Sequence, residues 1–122
     1  MSGEFQHINL EYLGQMTEGD RVLEREMLTV LVKELQTEIP KMRGLQAAGH
    51  WRELAEVSHR LKTSLAYAGS APLSNINAEI EGIAGQGAGV ERLPGLLGEL
   101  EGAVPAVIAE LQTAINRPVR DA

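Results

Sequence analysis

Apolar residues recur along this chain at intervals of three and four, the period of one helix face, and no segment shows the strict alternation of a half-buried strand. The pattern predicts an all-α fold. A short first helix over residues 9–16 carries Leu10, Leu13 and Met16 on one side, with Asn9 placed to cap it. Thr17-Glu18-Gly19 breaks that helix, and Asp20 caps a second, long one that runs to Ala48 and stops at Gly49. Its stripe is Met27, Leu28, Leu31, Leu35, Ile39, Met42 and Leu45; Pro40 within it removes one backbone hydrogen bond and predicts a kink. A third helix over residues 50–68 turns Trp51, Leu54, Ser58, Leu61, Leu65 and Ala68 inward and ends at Gly69. Ser70 and Pro72 open a fourth, with Leu73, Ile76, Ile80 and Ile83 inward, and residues 85–89 read as a flexible glycine-rich loop.

The last helix, residues 90–116, spaces Leu93, Leu97, Leu100, Val104, Val107, Leu111 and Ile115 as a nearly unbroken seam. Pro94 is tolerated in its first turn, whereas Pro105 predicts a second kink. Gly95, Gly98 and Gly102 lower its intrinsic propensity by about 1 kcal/mol each relative to Ala, so packing must hold it. Four substantial helices with short connections predict an antiparallel up-and-down four-helix bundle, with the short additional N-terminal helix across one end. The bundle is expected over residues 9–116, between a flexible N-terminus (1–8) and a flexible C-terminal tail (117–122).

Composition then narrows the chemistry. A length of 122 residues suits one domain. The absence of cysteine excludes disulfides, thiolate nucleophiles and cysteine-ligated metals. Seventeen acidic residues against 11 basic ones, a formal charge of −6, oppose a nucleic-acid footprint. No apolar run approaches the roughly 20 residues that span a bilayer. The N-terminus has no secretory pattern, so a cytoplasmic protein is expected, with no membrane partner. Phe5, Tyr12, Trp51 and Tyr67 are the only aromatics, too few for a base-stacking platform.

Three histidines remain as candidate nucleophiles or ligands. His7 falls in the expected tail and His50 at a helix start. His59 is in mid-helix, and at about 100° per residue it points roughly 130° away from the centre of its helix's apolar stripe. Ala55, Lys62, Thr63 and Ala66 are its neighbours on that outward face. An uncrowded imidazole with an ammonium one turn on suits reception of a phosphoryl group, since the neutral ring nitrogen is a nucleophile and the lysine offsets the incoming anion. A solvated surface histidine beside a lysine is the plain alternative. Glu-x-x-His pairs could build a metal bundle, but Glu4 with His7 lies in the tail and Glu56 with His59 points outward, so no metal site is expected.

The run Ser58-His59-Arg60-Leu61-Lys62-Thr63-Ser64-Leu65-Ala66-Tyr67-Ala68-Gly69-Ser70-Ala71-Pro72-Leu73 resembles the signature of histidine phosphotransfer (HPt) domains, a helix carrying His-x-Leu-Lys-Gly-Ser with a glycine ten residues after the histidine. His59, Lys62, Ser64, Gly69 and Leu73 fall in register, and the order of helices over residues 9–115 is similar. Three positions depart from the pattern: Thr63 stands where the family usually has glycine, His50 where it often has aspartate, and Ser70 where it often has alanine.

The resemblance implies a phosphocarrier without catalytic machinery of its own, which relays a phosphoryl group to or from the aspartates of response-regulator receiver domains, or from a hybrid sensor kinase. His59 would be the phosphoryl acceptor and Lys62 the charge neutraliser. Glu81, twenty-two residues after the histidine, would accept the Nδ1 proton and leave Nε2 free; a solvated acid is its alternative, and Glu79 its competitor. No cofactor is expected on the chain itself, Mg²⁺ belonging to the receiver, and the protein is expected to be a monomer. Docking is expected through Leu10, Leu13 and Met16, with Ala55, Arg60, Thr63 and Ala66 around the histidine. A non-transferring adaptor of the same fold is the alternative function.

Overall fold

A computed structural model describes residues 5–117 and contains no strand among them. Its helices are α1 (Glu11–Met16), α2 (Arg21–Ala48), α3 (Trp51–Ala68), α4 (Ala71–Gln86) and α5 (Leu93–Ile115). The four long helices form an antiparallel up-and-down bundle, with α3 packed against α2 and α4, and α5 against α2 and α4. The punctuation is chemical. Asp20 Oδ1 accepts the Leu23 amide at 3.0 Å to start α2, and Ser70 Oγ takes the Leu73 amide at 3.4 Å to start α4. Gly49 and Gly69 close α2 and α3 at φ of 74° and 65°, a left-handed conformation that side chains resist.

Two boundaries differ from expectation. Helix α4 continues to Gln86, so the loop expected over residues 85–89 begins only at Gly87, where φ turns to 70°. The last helix opens with a 3-10 turn, Val90–Arg92, and its α-helical part starts at Leu93. As expected, α2 and α5 each continue through their internal proline as one helix. Pro40 and Pro105 lie on exposed positions, where water can satisfy the carbonyl that each leaves without a donor.

The core is aliphatic, with Leu28, Leu35, Met42, Leu54, Leu61, Leu65, Leu73, Ile80, Leu93, Leu97 and Leu100 fully buried. Buried leucines of this kind are each worth about 1.5–3 kcal/mol, which carries the glycines of α5. No helix among the described residues is long and apolar enough to cross a membrane.

The N-terminal segment is not the flexible tail expected over residues 1–8, at least from residue 5 on. Ile8 is part of the core, and the amides of Gln6 and His7 donate to the Glu110 carboxylate at 3.1 and 2.8 Å. Arg117, expected in the C-terminal tail, lies over the Phe5 ring at 4.8 Å and accepts from Arg25 through its backbone oxygen at 2.6 Å. A long-range carboxylate and a cation–π contact were not legible as local pattern. The rest of both expected tails, residues 1–4 and 118–122, lies outside the described residues.

Helix α1 is hung on the end of α3. The Asn9 amide donates to the Ala68 oxygen at 3.1 Å, and Tyr12 stacks on Tyr67 with centroids 5.4 Å apart. This junction requires a glycine, because a Cβ on Gly69 would stand 2.0 Å from the Asn9 oxygen. Gly69→Ala should therefore lower the unfolding free energy by about 2–4 kcal/mol, the sum of left-handed strain and overpacking. Gly87→Ala, at φ of 70° with nothing within 4 Å of the new atom, should lose only about 1–2 kcal/mol. Urea denaturation of the two variants checks the difference.

Across the opposite seam, Arg43 Nε and Nη2 donate to the two Glu101 oxygens at 3.0 and 2.7 Å. The Arg43 hydrogen bonds hold the Glu101 carboxyl below its ordinary pKa, against an opposing effect of burial and with a further lowering from the guanidinium charge; Arg43 is raised in turn. A lowered carboxyl stabilises the fold above its unfolded pKa and loses that contribution as pH falls through the folded value. Both side chains are more than a third exposed, so screening limits the pair to under about 1 kcal/mol. Glu101→Gln should be destabilised by that small amount at pH 7, and melts at decreasing pH should show wild type and variant converge.

Candidate functional site

His59 projects from the middle of α3 toward α4, where its Nδ1 lies 2.7 Å from Glu81 Oε2. A carboxylate accepts and does not donate, so the proton at this contact sits on Nδ1, and the lone pair of the neutral ring is on Nε2. The imidazole is 68% exposed, whereas Glu81 is 30% exposed, half sunk between the helices. A buffered anion thus orients a ring whose reactive edge faces solvent. Glu79, the competing acid, is engaged elsewhere: Arg92 Nη2 donates to it at 2.7 Å.

The ring stands in an open depression of about 720 Å³ that α3 and the C-terminal end of α4 enclose, with Arg52, Ala55, Glu56, Arg60 and Gln86 around it. Small side chains keep it accessible: Ala55 is half-buried, and Ala66, one face-repeat further on, is exposed. Lys62 is exposed one turn after His59, and no ion pair engages it among the described residues. Its charge is available to an incoming anion. Arg60 leans toward Glu38 of α2 at 3.9 Å, a weak, water-exposed approach. Thr63 is exposed on the same face. No group of three or more His, Asp or Glu that could hold a metal occurs among the described residues.

One expected docking residue is misplaced. Leu13 is 1% exposed and belongs to the core, because the face of α1 that meets the bundle is its own side of the helix and not that of Met16. Leu10 is half-buried against the core, and Met16 is exposed. The helix itself meets the C-terminal end of α3, about 12 Å along the axis from His59 at 1.5 Å per residue. Sequence reading missed Tyr12, Val22, Leu23 and Val30, which join Met16 as the exposed large apolar residues. The available signal was that the three α2 residues fall off the Leu28, Leu31, Leu35 stripe. Beside them runs a groove of about 310 Å³ lined by Met27, Val30, Leu31, Glu34, Ser64 and Tyr67. Ser64 donates to Glu34 there.

A second pair was also missed. Ser58, expected simply as core, and Asn77 are buried and bonded to each other, Ser58 next to His59 in sequence and Asn77 one turn before Glu81.

The family model for the Hpt domain matches residues 26–117, which include His59, Lys62 and Glu81. The chain belongs to the Hpt domain family. Among solved structures, the fold of this Hpt domain is similar to that of histidine-containing phosphotransfer protein B (HptB) from Pseudomonas aeruginosa PAO1, with a TM-score of 0.83 at 19% identity, covering 93% of this chain and 97% of that one. No curated protein sequence matches it.

The Glu81 contact makes a measurable demand on the ring. Glu81→Ala should shift neutral His59 from the Nδ1-protonated tautomer toward the Nε2-protonated one without loss of helical signal. Long-range ¹H–¹⁵N correlation spectra of the neutral imidazole check this.

Proposed function

We propose that this Hpt domain carries a phosphoryl group on His59 Nε2, exchanging it with the phosphorylated aspartate of a receiver domain, free or part of a hybrid sensor kinase. The observation that carries the reading is the exposed ring with Nδ1 engaged by Glu81 and Nε2 bare. In the transfer, the Nε2 lone pair forms the N–P bond as the P–O bond to the aspartate breaks and its electron pair leaves on the carboxylate. The Nδ1 proton stays on the ring, and Glu81 balances the positive charge that the ring acquires. Lys62 offsets the phosphoryl oxygens. The reverse reaction uses the same groups. Mg²⁺ and the aspartate would come from the receiver, and the chain would act as a monomer in the cytoplasm.

A surface for the receiver is offered by Met16, Tyr12, Val22, Leu23 and Val30 together with half-buried Leu10, continuing along α3 through Ala66 and Thr63 toward the histidine. Contiguous exposed apolar side chains of this kind mark partner sites. Arg60 and Ala55 complete the rim.

Thr63 favours a second reading. A branched side chain on the exposed face one turn after His59, where glycine is usual in the family, stands in the way of close approach, and a domain so obstructed would grip a receiver without exchanging phosphate. The two readings separate by label. Incubation with a ³²P-phosphorylated receiver domain should give acid-labile, base-stable label on the wild type and none on His59→Gln, and Lys62→Ala should slow labelling about tenfold, the loss of about 1.4 kcal/mol of charge stabilisation. Label on His59→Gln would refute the assignment, and label that appears only on Thr63→Gly would establish the adaptor.

A further inference from the structure

Beneath the imidazole, α3 and α4 are joined by a closed polar contact. Ser58 Oγ lies 2.7 Å from Asn77 Oδ1 and 2.9 Å from the Asn77 backbone oxygen, and Asn77 Nδ2 donates to the Ser58 backbone oxygen at 2.9 Å. The Asn77 amide has one orientation that satisfies both ends, since its oxygen must meet the hydroxyl and its nitrogen the carbonyl. Both residues are sealed from water, Ser58 at 0% and Asn77 at 2% exposed. All four groups in the contact sit on two residues that border the site. Ser58 precedes His59, and Asn77 is one turn before Glu81 on the same face of α4.

Backbone geometry ties the contact more tightly to the reacting groups. In an α-helix each amide donates to the carbonyl four residues back, so the Ser58 carbonyl also receives the Lys62 amide and the Asn77 carbonyl also receives the Glu81 amide. The latch therefore grips the two carbonyls from which the turns bearing Lys62 and Glu81 hang. A slip of α4 along α3 would break two hydrogen bonds in a dry environment, the Asn77 Nδ2 bond and that of the single Ser58 hydroxyl proton shared between the two Asn77 oxygens, and each unmade bond costs about 1–3 kcal/mol there. Apolar side chains of similar shape would pack here with nearly the same stability, because the net gain from a buried hydrogen bond is only about 1 kcal/mol. What directional bonds add over apolar packing is a single allowed register.

We infer that Ser58 and Asn77 are positioning residues that set the register of Glu81 against His59, and through it the tautomer and aim of the imidazole. As a determinant of transfer rate this rests on the phosphocarrier reading; as a determinant of the ring's tautomer it does not.

The test compares Ser58→Ala/Asn77→Leu, which replaces the latch by apolar packing, with Val104→Ala, a core truncation on α5 beside the α2–α5 groove lined by Leu35 and Ile39. The double variant should remain folded by circular dichroism, lose the preference for the Nδ1-protonated tautomer in ¹⁵N spectra, and accept phosphoryl from a phosphorylated receiver about tenfold more slowly. Val104→Ala should lower the melting temperature and leave tautomer and rate unchanged. A wild-type tautomer ratio in the folded double variant overturns the inference, as does an equal tautomer change in Val104→Ala. Should the double variant fail to fold, Ser58→Ala alone decides by the same spectra, with a partial shift expected and an unaltered ratio refuting. If no receiver labels even the wild type, the phosphocarrier reading fails while the tautomer still judges the latch.

Discussion

The register of α3 against α4 is the constraint on which everything chemical in this domain depends. The reacting ring stands on one helix and its orienting carboxylate on the other, so a shift of either by a single turn of about 5.4 Å would part a contact that measures 2.7 Å. Leu54, Leu61, Leu65 and Ala68 on one side and Leu73, Ile80 and Ala84 on the other bury this seam. Apolar packing alone tolerates several arrangements of similar volume. The glycine stop at Gly69 and the Ser70 cap add a second restraint, because the two helices' caps are consecutive residues and the turn between them has little freedom. Helix α1 closes over that turn and contributes to how firmly the two helices are joined.

The polar and apolar residues divide the surface into faces with different duties. On the α2–α5 side, the exposed prolines and the Arg43–Glu101 pair are compatible with water and leave the helices continuous. On the α1–α2–α3 side, Tyr12, Met16, Val22, Leu23 and Val30 are left largely uncovered, with Tyr12 also stacked on Tyr67. Burial explains neither their number nor their grouping. An exposed apolar face on the same molecule as an oriented imidazole is what the proposed carrier function calls for, since the chemistry would be brought to it by whatever docks there.

Most of the fold was legible in the sequence because its signals are local. Helix periods, the Asp20 and Ser70 caps and the Gly49 and Gly69 stops each operate within a few residues, and the bundle follows from four such segments. His59 was legible for the same reason: its outward angle is a property of one helix. The features that were not legible join residues far apart. Glu110 holding the Gln6 and His7 amides, and Asn77 meeting Ser58, depend on contacts that no single-helix pattern contains. Asn77 occupies an inward position of α4 and reads as a surface residue by composition. Leu13 failed differently, because in a helix of six residues three apolar side chains define no unique face.

Exposure of the His59–Glu81 pair is a compromise that the geometry makes visible. A fully buried carboxylate would bind the ring's proton more strongly, since the same charges interact several times more strongly in a protein interior than in water. It would also hold a positively charged, phosphorylated ring so well that passing the group on would be uphill. With the ring 68% and the carboxylate 30% exposed, solvent screens the attraction while the hydrogen bond still selects the tautomer. Orientation is thereby separated from binding strength. Under the proposed exchange with receiver aspartates, that separation is more useful than tight binding, and it fits a site whose buried Ser58–Asn77 contact is sealed from water while the ring itself stays exposed.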